Sequence, residues 1–137
     1  MTSVLDVAKR AYECFAEGDP DGFLALCADD VEWVVNGPVG VATCRAFHGR
    51  DGVEEFLGVL GASTAMDVFT PREYHAAGST VVVLGDCEGK DLVSGVPFVR
   101  RWSHVFDVDG GRITRLREFL CCWPGGEEPP PMSWTTG

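Results

Sequence analysis

Positive charge is in short supply: 11 Lys and Arg stand against 21 Asp and Glu in 137 residues, a formal net charge of −10. Nothing in such a chain would neutralise a run of phosphates, which argues against nucleic acid and anionic membrane surfaces as partners. Long hydrophobic runs are missing too. No segment approaches the roughly 18 apolar residues of a membrane-spanning helix, and the N-terminus, MTSVLDVAKRAYECF, has no continuous apolar run of signal-peptide type. The six cysteines (Cys14, Cys27, Cys44, Cys87, Cys121 and Cys122) form no Cys-x-x-Cys and no zinc-type Cys/His spacing. Reduced, mostly structural thiols in the cytoplasm are therefore expected, with Cys14 and Cys27 as small core hydrophobes. There is no P-loop and no Gly-x-Gly-x-x-Gly after a strand, so no cofactor and no metal is expected.

The chain does have a 45% apolar content, enough for one folded domain. Residues 1–123 read as that domain. Residues 124–137, rich in Pro and Gly, read as an extended, partly disordered tail. Ser3 and Asp6 form a capping box for a first helix ending at Gly18. Asp19-Pro20 opens a second helix running to about Ala28. A strand is expected over Val31–Val35 and a third helix from Asp51. After Asp67 the pattern is strands: Val68–Ala76, Thr80–Cys87, Leu92–Val108 and Ile113–Cys122. Helices followed by an antiparallel meander predict an α+β fold, a curved antiparallel sheet with three helices on its concave face. Such a cone tends to hold a ligand pocket.

The last two strands carry the strongest hint of chemistry. A three-residue loop, Asp109-Gly110-Gly111, would pair Val108 with Arg112. Glu118 would then lie opposite Trp102 and diagonal to His104, all on one face. A two-residue loop would send His104 and Glu118 to opposite faces, since a one-residue slip flips every side chain. An imidazole beside a carboxylate in apolar surroundings suits proton transfer near neutral pH. Tyr12 is a candidate donor beside His104. Trp33, Trp102, Phe15, Phe56 and Leu116 are candidate walls for a flat, ring-bearing ligand. Arg100, Arg101, Arg115 and Arg117 read as a basic stripe facing away from the cone and pairing with surplus carboxylates.

Four stretches, AYECFAEGDPDGFLALCADDVEWV, FHGRDGVEEFL, STVVVLG and WSHVFDVDGGRITRLREF, occur in this order. Together they resemble the nuclear transport factor 2-like superfamily, and within it the SnoaL-like polyketide cyclases and ketosteroid isomerase-related proteins. In the cyclases an Asp on the last strand serves as acid/base, with a His fourteen positions earlier. The resemblance puts these roles on Glu118, one methylene longer than Asp, and on His104. The ketosteroid isomerase base and Tyr positions fall on Val35 and Ala11, so the resemblance implies no steroid isomerisation by that route. The Arg-x-Asp of limonene epoxide hydrolases falls on Trp102-Ser103-His104. Relatives commonly dimerise through the outer sheet face, which implies a homodimer.

The expectation is thus a cofactor-free enzyme using His104, Glu118 and Tyr12 on an apolar carbonyl compound, by isomerisation or cyclisation. The alternatives are a non-catalytic binder of a hydrophobic small molecule, and a dimeric interaction module with a filled cone.

Overall fold

The computed structural model describes residues 2–134. Three helices, α1 (Val4–Glu17), α2 (Pro20–Ala25) and α3 (Gly49–Ser63), join six strands. These are β1 (Cys27–Asn36), β2 (Ala46–His48), β3 (Thr64–Ala77), β4 (Thr80–Asp91), β5 (Pro97–Asp109) and β6 (Arg112–Pro124). They form one curved sheet in the order β2-β1-β6-β5-β4-β3. From β3 to β6 it is the expected antiparallel meander. β1, however, runs parallel to β6, so the sheet is mixed. A parallel pair needs a long crossover, and everything between β1 and β6 supplies it. No helix among the described residues is long and apolar enough to cross a membrane.

Local chemistry explains the element ends. Ser3 Oγ accepts from the Asp6 N–H and the Ser3 N–H donates to Asp6, closing the capping box of α1. Gly18, at φ 66°, ends α1 in the left-handed conformation. Asp19 then caps α2 through the Gly22 N–H, with Pro20 in the first turn. α2 stops before the expected Ala28 because the sheet captures the chain. The Leu26 carbonyl accepts from the Ile113 N–H at 2.7 Å, and Cys27 already pairs with β6. Leu92–Val96, expected to open a strand, is instead the β4–β5 turn. Asp91 Oδ1 caps it by accepting from the N–H groups of Val93 and Ser94 at 2.9 and 2.8 Å.

The β5–β6 hairpin corrects the expected register. Its loop has two residues, Gly110 and Gly111, both at positive φ, and Asp109 pairs with Arg112. Two successive left-handed residues match the twist of the strands they join. This loop alone would separate His104 and Glu118. A register shift cancels it: Val108 pairs with Ile113, but Asp107 pairs with Arg115, leaving Thr114 as the extra residue of a bulge. Thr114 Oγ1 donates to the Asp107 carbonyl at 3.2 Å. His104 therefore sits directly opposite Glu118.

The inner face of β5 is Phe98, Arg100, Trp102, His104, Phe106 and Val108, all buried. β4 answers with Val81, Val83, Gly85, Cys87 and Gly89. The two glycines are spacers. A Cβ on Gly85 would meet Trp102 ring carbons at 2.3 and 2.4 Å and the Thr70 carbonyl oxygen at 2.6 Å. Gly89 lies in the same way under Phe98. On the inner side α1 packs on β3, β4 and β5, and α3 on β1, β2 and β3. Residues 125–134 carry no strand or helix. The Arg101 guanidinium donates to the Pro130 carbonyl, and Arg72 lies over the Trp134 ring.

Replacing Gly85 by Ala should destabilise the fold by about 1–3 kcal/mol, the range for overpacking a close-packed interior. Urea unfolding followed by tryptophan fluorescence reads this; a loss under about 0.5 kcal/mol would refute the spacer role.

Asp107 anchors the outer face. Burial by itself would raise its carboxyl. Hydrogen bonds from Arg115 (2.6 Å) and Thr80 (2.9 Å), with the charges of Arg115 and Arg117, outweigh this and hold it below the usual value. A depressed native value gives stability that is present above the unfolded carboxyl's value near 3.9 and is lost as pH falls through the native one. Asp107→Asn should therefore lose about 1 kcal/mol at neutral pH and show a shallower loss below about pH 4. Urea midpoints across that pH range check it.

Candidate functional site

Five aromatic rings meet where α1 crosses β5. Trp102 stacks on His104 with centroids 4.2 Å apart and planes at 18°, and on Phe69 at 4.8 Å and 12°. Tyr12, from α1, stacks on His104 at 5.7 Å and meets Phe106 edge to face. Within this cluster the Tyr12 hydroxyl lies 2.6 Å from His104 Nδ1. His104 Nε2 lies 3.3 Å from Glu118 Oε2, both side chains about nine-tenths buried. Burial, then the neighbouring Tyr74 and the Glu118 charge, push the Tyr12 phenol well above its ordinary value. The phenol therefore keeps its proton and can donate it to Nδ1. With that donation the neutral ring carries its proton on Nε2, the nitrogen 3.3 Å from the carboxylate oxygen. Tyr12 orients His104, and His104 faces Glu118.

This line of groups opens on a cavity of about 70 Å³. Every side chain expected at the site lies on its wall: Tyr12, Phe15, Trp33, Phe56, Trp102, His104, Leu116 and Glu118. The volume is well below the several hundred Å³ of typical small-molecule sites. The stacked rings fill much of the cone. Phe15, Phe23 and Leu57 also form a wall shared with an outer groove of about 180 Å³ near Gly18 and Pro20.

The basic stripe divides. Arg115 and Arg117 pair with Asp107 on the outer face. Arg100 does not face away. It is 5% exposed, lies on the cavity wall, and stacks its guanidinium 3.7 Å from the centroid of Phe98. Strand alternation carries the signal for this, since Arg100 shares the parity of Trp102 and His104. Thr43 and Cys87 also line the cavity. Burial pushes the Cys44 and Cys87 thiols up to about 11 and about 12, so both stay neutral at physiological pH. All six cysteines are free thiols. No cluster of three or more metal-ligating side chains occurs among the described residues. Val35 and Ala11, at the ketosteroid isomerase base and Tyr positions, are buried and apolar.

The profile of the SnoaL-like domain matches residues 8–116. The chain belongs to this family. An uncharacterised protein of Mycobacterium tuberculosis is 30% identical over 115 residues, covering 84% of this chain and 86% of its own. An NTF2-like protein of Burkholderia xenovorans superposes with a TM-score of 0.79 at 22% identity, over 88% of this chain and 93% of the other. TerC, crystallised with polyporic acid, superposes at 0.73 with 26% identity, over 84% and 88%. The SnoaL-like chain thus has the NTF2-like fold.

Tyr12→Phe removes the donor to Nδ1 and leaves a buried acceptor unpaired. It should lower stability by about 1–2 kcal/mol and shift the His104 ring ¹⁵N resonances away from the Nε2–H tautomer. Unchanged ring resonances would show that Tyr12 does not set the tautomer.

Proposed function

We propose that this SnoaL-like protein is an acid/base enzyme needing no cofactor, acting on an apolar, ring-bearing carbonyl compound. The observation that carries the reading is the Tyr12–His104–Glu118 line ending on the wall of an aromatic cavity. Glu118 takes a proton from the carbon beside the carbonyl. The C–H electron pair moves into an enolate, whose oxygen is held by donors on the wall. Isomerisation follows if Glu118 returns the proton to another carbon. Cyclisation follows if the enolate carbon attacks a second carbonyl and Glu118 protonates the alkoxide. His104 holds the carboxylate in place, and Tyr12 holds His104. A ring-bearing ligand exceeds the small cavity, so its admission requires lining side chains to move aside. That small volume favours a second reading, an interaction module with a filled cone.

Hydrogen–deuterium exchange at the α-carbon of 2-tetralone, followed by NMR, separates these readings. The enzyme reading expects catalysed exchange, an at least ~100-fold loss in Glu118→Gln, and retained binding of the ketone by that variant. Binding without exchange in the native protein identifies a binder. Neither binding nor exchange identifies the filled cone.

A further inference from the structure

Among the described residues, four buried side-chain nitrogens have no hydrogen-bond partner: Trp33 Nε1, Trp102 Nε1, Arg100 Nε and Arg117 Nε. All four are donors. Three of these side chains, Trp33, Trp102 and Arg100, line the same cavity. Buried donors are nearly always satisfied, and a buried charge nearly always has a counter-charge. Arg100 has neither. No carboxylate lies within ion-pair distance of it among the described residues. Asp91, at the end of β4, feels its charge at longer range, and Arg100 and Glu118 each act on Cys44 and Cys87. The two thiols beside it are neutral and supply no counter-ion. Phe98 packs against the guanidinium and fixes its position.

A wall with unpartnered donors and a cation that no carboxylate contacts is complementary to a ligand rich in acceptors and carrying negative charge. We infer that the cavity takes a ring-bearing oxyanion, a carboxylate or an equivalent acidic oxygen, with the anionic oxygen on Arg100 and the ring along Trp102 and Trp33. The inference rests on the reading of this cavity as a ligand site, and it deepens that reading by naming the ligand's charge. It does not require turnover. Arg100 and His104 lie four residues apart on one strand face, about 13 Å at the backbone. The anionic end of the ligand is thereby held away from the Glu118 carboxylate, which would otherwise repel it.

The test is a matched pair of probes, benzoate and its neutral isostere benzamide, titrated calorimetrically into the native protein near neutral pH. Benzoate should bind at least ten times more tightly than benzamide. In Arg100→Gln that preference should vanish while weak benzamide binding persists, and Arg100→Lys should keep most of it. In Glu118→Gln the preference for benzoate should stay or grow. Equal binding of both probes by the native protein, or a preference that survives Arg100→Gln, overturns the Arg100 assignment and leaves the acid/base reading standing. Failure of both probes to bind at about 10 mM overturns the inference together with the ligand-site reading. Should Arg100→Gln not fold, the native protein still decides. The Arg100 Nε–Hε NMR signal should move on adding benzoate and not benzamide, and an unmoved signal is the overturning result.

Discussion

One extra residue in β6 decides which side chains face the cone. The Gly110-Gly111 turn by itself sets a register in which Glu118 faces the opposite side from His104. The bulge at Thr114 shifts the pairing by one, and every β6 residue beyond it turns over. Leu116, Glu118 and Leu120 then point inward onto the cavity wall, while Arg115 and Arg117 point outward to Asp107. The carboxylate inside and the ion-pair cluster outside are two faces of the same register. Asp107 lies at the shift itself, with its carbonyl bound by Thr114 and its carboxylate by Arg115 and Thr80.

Packing above this register follows from ring size. Trp102 is wide enough to cover β4, and it lies flat only because Gly85 has no side chain there. Flat on the sheet, it becomes a platform: His104 stacks on it, and so does Phe69 from β3. Tyr12 closes the cluster from α1 and supplies the hydrogen bond a buried imidazole needs. The cone is thus filled by rings that also hold the acid/base groups in place, which is why the remaining cavity is small. Phe15, Phe23 and Leu57 line both it and the outer groove.

Much of this was legible in the sequence because its signals are local. The capping box at Ser3, the Asp19-Pro20 helix start and the alternation along residues 98–108 each follow from spacing alone. The eight side chains expected at the site all reach one cavity wall. What was not legible depends on non-local competition. The bulge at Thr114 has no mark such as a glycine, so the loop was expected to have three residues and the opposite pairing of His104 with Glu118 was missed. The parallel pairing of β1 with β6 joins segments far apart in the chain, and it cut α2 short. Arg100 was legible in principle. Its charge matches that of its neighbour Arg101, but its parity is that of Trp102 and His104 and places it inside.

Two opposite charges in one cavity would be expected to collapse onto each other. The sheet prevents it. Glu118 sits opposite His104, and Arg100 sits opposite Cys122, with the Trp102–Leu120 pair between them. Strand spacing holds these positions roughly 13 Å apart at the backbone, and Trp102 covers the intervening sheet. His104 holds Glu118 at one end, and Phe98 holds Arg100 at the other. Leaving a guanidinium buried without a counter-ion costs stability that a Leu or Met at position 100 would not cost. A charge fixed in this way needs no reorganisation when an oxyanion arrives, and the low polarity of the surrounding rings strengthens its pull. The destabilising arrangement inside the cone is therefore the one best suited to receive negative charge.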